Sequence, residues 1–159
     1  MPVAYVALGA NLGEPVRALK GALRAMSEAG IELLACSSFY RTEPIDSSGP
    51  DYVNAVAKVS TNLSADDLLR RLLAIEKEFG RIRPAGVHNA PRTLDLDLLL
   101  YEENVLQTPF LTLPHPRMHE RAFVLVPLAE ISPEAVIPGQ GRVKDLLPGV
   151  TDQRIEKMA

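Results

Sequence analysis

Thr93-Leu94-Asp95-Leu96-Asp97-Leu98-Leu99-Leu100-Tyr101 alternates leucine with aspartate. In an extended chain, side chains two positions apart share a face. Leu94, Leu96, Leu98 and Leu100 would then point one way, and Asp95 and Asp97 the other. A rise of ~3.3 Å per residue puts the two aspartate Cα atoms about 6–7 Å apart, so their carboxylates can converge on a hard cation. Mg²⁺ takes oxygen ligands and is commonly held by one or two carboxylates plus substrate phosphates. A pair of ions ~3.5–4 Å apart could be bridged in the same way. The alternative is a strand with two solvated acids; it is disfavoured because Asp is depleted in strands and like charges at this spacing repel. A zinc cage is not indicated, since one Cys and three scattered His form no ligand cluster.

Arg81, Arg83 and Arg92 bracket the loop that runs into the acidic strand. The arginine fork binds phosphate bidentately and stays charged at any ordinary pH. Three of them beside a carboxylate pair suggest a nucleoside triphosphate. Taken singly, each could instead pair with Glu76 or Glu78 at a helix end. The loop, Arg81–Pro91, has no hydrophobic period, which makes it a candidate lid. Arg117 and Arg121 bring five arginines within forty-one residues. His115 lies between two prolines near that pair; alone, it could equally be a packed or a solvated histidine. Phe123 could be core. Gly9-Ala10-Asn11-Leu12-Gly13 is neither G-x-G-x-x-G nor a P-loop, and reads mainly as turn geometry.

The elements that must position these groups follow from periodicity. Val3–Leu8 reads as a strand, and Pro15 opens a helix whose stripe is Val16, Leu19, Leu23 and Met26, with Gly30 as its stop. A second strand runs from about Glu32 to Arg41, and Thr42–Asp51 is a loop. Tyr52–Thr61 alternates, with Val53, Ala55, Ala57 and Val59 toward a core and Tyr52, Asn54, Val56 and Lys58 on the other face. Ser64 caps a second helix with the stripe Leu68, Leu72, Ile75 and Phe79, closed by Gly80. The acidic strand follows, then a Pro-punctuated region with a helix near Arg121–Ala129. The order β-α-β-β-α-β with a C-terminal extension predicts an α+β, ferredoxin-like antiparallel sheet, its first strand between the third and fourth. Its helices should cover one face and leave the other available.

The 159 residues fit a single domain, 1–159. With 17 basic and 20 acidic residues the formal charge is −3, which argues against broad nucleic-acid binding. No apolar run reaches a membrane span, and the N-terminus lacks the basic region of a signal peptide. The lone Cys36 reads as inert, and a cytoplasmic location is expected.

The chain resembles the 6-hydroxymethyl-7,8-dihydropterin pyrophosphokinases of folate biosynthesis. The resemblance is carried by ALGANLG (7–13), SSFYRTEPI (37–45), DYVNA (51–55), EFGRIR (78–83), PRTLDLDLLLY (91–101) and LPHPRMHERAFVLVPLAEI (113–131). It implies transfer of a pyrophosphoryl group from ATP to the pterin hydroxymethyl oxygen, leaving AMP. It implies two Mg²⁺ held by Asp95 and Asp97. Arg81, Arg83, Arg92, His115 and Arg121 match positions that contact or orient phosphates or order the active loops, with Arg81 and Arg92 counted as catalytic alongside the aspartates. Leu98 and Thr112 match positions near the adenine. Thr42 and Ile45 match a pterin loop, acting through backbone groups. Tyr52, Asn54 and Phe123 match the pterin pocket, where the ring stacks between the two aromatics. Two departures stand out. Many members read RWGPR where this chain has His88-Asn89-Ala90-Pro91-Arg92, and Pro116 replaces a Tyr seen in some.

The residue reading and the resemblance agree on geometry. With one strand between them, Asn54 and the aspartates should lie about 10 Å apart at ~4.8 Å per strand, which suits a flat acceptor beside metal-bound phosphates. ATP and the pterin are the expected partners, with no nucleic acid and no membrane, and a monomer is expected. Two rivals remain at this stage: a non-catalytic ferredoxin-like domain that binds a metabolite and regulates a partner, and a metal-dependent nuclease.

Overall fold

The computed structural model describes residues 1–11, 13–43, 50–80 and 94–158. Four strands build the centre: β1 (Val3–Ala10), β2 (Glu32–Cys36), β4 (Tyr52–Ser60) and β5 (Asp95–Tyr101). A short β3 (Tyr40–Thr42) continues the line of β2, and both pair antiparallel with β4. The single second strand expected over 32–41 is thus two. The break falls at Ser37, whose hydroxyl accepts the Val56 N–H at 3.0 Å while its own N–H reaches the Val56 carbonyl at 2.9 Å. A serine that replaces a ladder acceptor lets the strand kink without orphaning a buried donor. β1 lies between β4 and β5, as the ferredoxin-like order requires, and β5 is an edge strand. The opposite edge is β10 (Ile155–Lys157), contributed by the C-terminal extension.

Two helices cover one face. In α1 (Pro15–Glu28) proline occupies the first turn, and Leu19, Ala22 and Met26 are buried. α2 (Ala65–Gly80) begins where Ser64 Oγ accepts the Asp67 N–H at 3.1 Å. Its Leu68, Leu72 and Ile75 meet Val6 and Leu8 of β1, Val53, Ala55, Ala57 and Val59 of β4, and Leu94, Leu96 and Leu98 in one core. Each fully buried leucine there contributes roughly 1.5–3 kcal/mol of transfer free energy.

The other face is not left open along its whole length. The connecting pair β6 (Leu106–Gln107) and β7 (Thr112–Leu113) leads into α3 (Ala122–Ile131), followed by the pair β8 (Val136–Ile137) and β9 (Gly141–Arg142) and by α4 (Val143–Leu146). α3 is apolar throughout except for Glu130 in its last turn. Its Ala122, Val124, Leu125 and Leu128 pack with Ala7, Val56, Leu99 and Leu100 in a second core. Leu100 therefore does not share a face with Leu94, Leu96 and Leu98. Tyr5 opposes Leu100 and Val6 opposes Leu98, so Leu99 is an extra residue in the ladder. Leu99 shares the aspartate face by alternation, and the bulge turns Leu100 to that side as well, so both join the second core. Glu130, in the last turn of α3, accepts from Tyr40 Oη at 2.5 Å, Ser38 N–H at 3.0 Å and Ser38 Oγ at 2.9 Å, and so ties the helix to the β2–β3 break.

What α3 leaves uncovered is one end of that face. β1 is antiparallel to both neighbours, so its C-terminal end lies beside the N-terminal ends of β4 and β5.

Candidate active site

At the uncovered end the register sets polar side chains in rows across the sheet. Gly9 faces Asn54 on one side and Asp95 on the other, and Tyr40 lies beyond Asn54. One pleat further in, Ala7 faces Val56 and Asp97. The aspartates thus project from the face opposite the leucines, as their spacing predicts, and both are half-buried. Beside them the floor is Gly9 and Ala7, two residues too small to fill the space. Asn54 and Asp95 stand two strand spacings apart, about 10 Å.

Asn54 is 6% exposed and held firmly. Its Nδ2 donates to Thr42 Oγ1 at 2.6 Å, and Tyr52 is the cross-strand partner of Thr42. Thr42, Tyr52 and Asn54 are therefore one patch, although Thr42 is expected to act only through its backbone. A Cβ placed on Gly9 would meet Asn54 Oδ1 at 2.9 Å, closer than real Cβ contacts come. Glycine inside β1 is the condition for this amide to lie across the strand. Reading 9–13 as turn geometry misses that role; a glycine inside a strand was the available signal. Nearby, Asn11 donates from Nδ2 to the Pro50 carbonyl at 3.4 Å.

Asp97 also borders a cleft along the outer edge of β5. About 250 Å³ in volume, it is bounded by α2 on one side and the 110–116 segment on the other, with Asp97, Leu98, Thr112 and His115 in its lining. The His115 N–H bonds the Leu99 carbonyl at 3.0 Å, which fastens the segment to the edge strand. His115 Nδ1 accepts the Arg117 N–H at 3.3 Å, leaving Nε2 to carry the ring proton. Burial pushes the imidazole pKa down from 6.5 and Arg121 adds to this, while Asp97 opposes it. The ring is thus a neutral donor near neutral pH, adjoining both a carboxylate and a guanidinium. Arg121 in turn lies 5.4 Å from the centre of the Phe123 ring, and Phe123 packs half-buried against the second core. Arg121 therefore links the cleft to the aromatic above the sheet.

Glu76, considered only as a partner for arginine, accepts the Leu96 N–H of the edge strand at 2.7 Å. Residues two apart on an antiparallel strand turn their backbone groups the same way, so the Leu98 N–H and C=O also face outward to the cleft. The Leu98 side chain itself is buried in the first core. Cys36 is half-buried, and burial with the nearby Glu130 charge raises its thiol pKa, which keeps it protonated as expected of an inert thiol. Arg81, Arg83, Arg92 and Ile45 lie outside the described residues.

The donor set suits one kind of cation. Among the described residues no three His, Cys, Asp or Glu come together as a closed cage. Two carboxylates over a small-residue floor fit an ion that completes its shell with phosphate and water.

Comparison with known proteins gives the family of the chain. The profile of the 7,8-dihydro-6-hydroxymethylpterin-pyrophosphokinase (HPPK) family matches residues 5–133. The chain is 44% identical over 160 residues to the 2-amino-4-hydroxy-6-hydroxymethyldihydropteridine pyrophosphokinase of Haemophilus influenzae, covering 99% of each protein. It is 47% identical over 140 residues to that of Synechocystis sp., covering 87% of this chain and 71% of the relative. Among solved structures, wild-type Plasmodium falciparum HPPK-DHPS with SDX-DHP superposes with a TM-score of 0.70 at 13% identity. That match covers 93% of this chain and 43% of the longer one, and at this identity it speaks to the fold alone.

Proposed function

Since the chain belongs to the 7,8-dihydro-6-hydroxymethylpterin-pyrophosphokinase family, we infer that it transfers pyrophosphate from ATP to 6-hydroxymethyl-7,8-dihydropterin, a step of folate biosynthesis. The hydroxymethyl oxygen attacks the β-phosphorus. The bond from that phosphorus to the α–β bridging oxygen breaks, AMP leaves with the electron pair, and the hydroxyl proton passes to solvent. A regulatory metabolite-binding domain is not favoured by these relatives.

The observation that supports the site assignment is the row Asn54–Gly9–Asp95, with Asp97 one pleat away. It sets an amide beside a carboxylate pair at the separation a pterin and a triphosphate need. Asn54 would hold the pterin ring edge. Its Nδ2 spends one hydrogen on Thr42, leaving one N–H and the carbonyl oxygen for an acceptor that needs both. Tyr52 and Phe123 would flank the ring, and Thr42 and Ile45 would close the pocket from the following loop. Asp95 and Asp97 would hold Mg²⁺, two ions in the reading preferred here. When bound, the metal would neutralise phosphate charge and acidify the acceptor hydroxyl.

The remaining residues align and stabilise. His115 Nε2–H and Arg121 would donate to phosphate oxygens, His115 without adding charge. The outward backbone of Leu98, with Thr112, would read the adenine edge, a directional role that needs no Leu98 side chain. Arg81, Arg83 and Arg92 would disperse the charge that grows on the bridging oxygen. A monomer is the working unit in this reading. No described helix is long and apolar enough to cross a membrane.

The test is formation of AMP from ATP. It should require both the hydroxymethyl-dihydropterin and Mg²⁺, with equimolar pterin diphosphate. ATP consumption independent of the pterin, or release of ADP, would refute the assignment.

A further inference from the structure

Arg121 stands at a junction that its local sequence does not favour. It closes the 3₁₀ turn Met118–Glu120 and opens α3, and its own backbone is extended, with φ −120° and ψ 117°. Met118, Glu120, Arg121 and Ala122 are all good helix formers, so local preference would run the turn straight on into the helix. Nor does Arg121 cap α3 with its side chain, because a guanidinium has no acceptor.

Gln153 meets both demands with one amide. Its Oε1 accepts the Ala122 N–H at 2.8 Å, and its Nε2 donates to the Glu120 carbonyl at 2.7 Å. In an extended residue the carbonyl before it and the N–H after it point to the same side, so one amide spans both. In a helix the same two groups point opposite ways along the axis. The amide is therefore a clamp across Arg121 that fits only the extended backbone. It also satisfies the N–H of Ala122, a residue 2% exposed at the first position of α3.

Gln153 is itself fixed on both sides. Its N–H bonds the Val150 carbonyl at 3.1 Å, and Val150 is buried in the second core. Beyond it Arg154 pairs with Glu43 at 2.7 Å, and Ile155 lies opposite Thr42 where β10 joins β3. The clamp thus ties Arg121 to the strand that bears Thr42.

We propose that Gln153 is a positioning residue of the active site, which holds Arg121 extended and so keeps its guanidinium at the Phe123 ring and directed at the phosphates. The inference rests on the reading of Arg121 as a phosphate-directed residue. A helical Arg121 redirects its Cα–Cβ bond and carries the guanidinium away from the ring. Gln153 acts through Arg121, and it lies beyond the last motif that carries the family resemblance.

A double-mutant cycle in the full chain tests this. Gln153→Met keeps the volume and removes both hydrogen bonds. It is combined with Arg121→Ala, and the readouts are kcat/KM for AMP formation, titration calorimetry with a non-hydrolysable ATP analogue, and the circular dichroism spectrum. Gln153→Met alone should lower kcat/KM about two- to tenfold, the range one hydrogen bond supplies, and weaken analogue binding. In the Arg121→Ala background the same substitution should change kcat/KM by less than about twofold, because residues that act as a unit share one loss. Should Gln153→Met lose the native spectrum, Gln153→Glu, which keeps the bond from Ala122, carries the same cycle with the same expected outcomes. An equal loss in both backgrounds, or a folded Gln153 variant at full activity beside a damaged Arg121→Ala protein, overturns the positioning role alone. An Arg121→Ala protein that forms AMP at the unaltered rate overturns both this role and the placing of Arg121 at the phosphates.

Discussion

Gly9→Ala tests the pterin end of the site with a single methyl group. The added Cβ would stand 2.9 Å from Asn54 Oδ1, inside the distance that real Cβ atoms tolerate. The nearest atoms it meets belong to Asn54 and Val53, on the β4 side; no Asp95 atom is among them. Relief requires the Asn54 amide to move by several tenths of an ångström. That movement strains or breaks its 2.6 Å bond to Thr42, between two residues that are each 6% exposed. Leaving such a buried polar group unsatisfied costs about 1–3 kcal/mol. For a chain of this length, each kcal/mol lowers Tm by roughly 2–4 °C. The displaced amide would also lose one or two hydrogen bonds to the pterin, about 0.5–1.5 kcal/mol each, so pterin affinity should fall roughly threefold to a hundredfold. ATP affinity should hold, because the methyl group meets nothing on the β5 side. The assay is pterin fluorescence titration in the presence of a non-hydrolysable ATP analogue, with a parallel thermal melt. Thr42→Val should reproduce the pterin defect without the steric push, and Thr42→Ser should restore affinity. A folded Gly9→Ala protein with unchanged pterin affinity, or one that loses ATP affinity equally, would refute the reasoning.

Other outcomes follow from the same geometry. Asp97→Ala should lower kcat by about 10²–10³-fold, the scale of one electrostatic contact to a reacting group. It should still fold, because Asp97 faces Ala7 on a half-open surface, and loss of the native circular dichroism spectrum would point to a structural role instead. Arg121→Ala should raise KM for both substrates, since its guanidinium adjoins His115 and the Phe123 ring; an effect on only one would separate the two subsites. Glu130 governs acid stability. Its desolvation opposes ionisation, but the hydrogen bonds from Tyr40 and Ser38 and the charge of Lys157 outweigh it, so its folded pKa lies below 4.5. Its contribution is therefore full above that value and lost as pH falls through the lower folded pKa. Denaturant titrations from pH 6 down to about pH 3 should show Glu130→Gln with a shallower acid decline than the unaltered protein, and parallel declines would exclude this linkage.

Much of the site is legible from local pattern. Asp95 and Asp97 face away from Leu94, Leu96 and Leu98 because a strand's side-chain period is a matter of backbone geometry, and three leucines on one side leave the acids only the other. The apolar face of β4 and the stripes of α1 and α2 are legible for the same reason. His115 has no such periodicity; only the backbone bond to Leu99 and the proximity to Asp97 and Arg121 make it part of the site.

By itself the sequence determined the strand and helix order, the ferredoxin-like class and the shared face of the two carboxylates, since each depends on residues a few positions apart. Tertiary structure alone decided three further features. These are the bulge that hands Leu100 to the second core, the α3 roof that confines the site to one end of the sheet, and the register that lays Asn54 across Gly9 toward Asp95. Each depends on pairing between segments about forty or more residues apart. There, volume and hydrogen-bond satisfaction across the gap select the answer, and no local spacing encodes them.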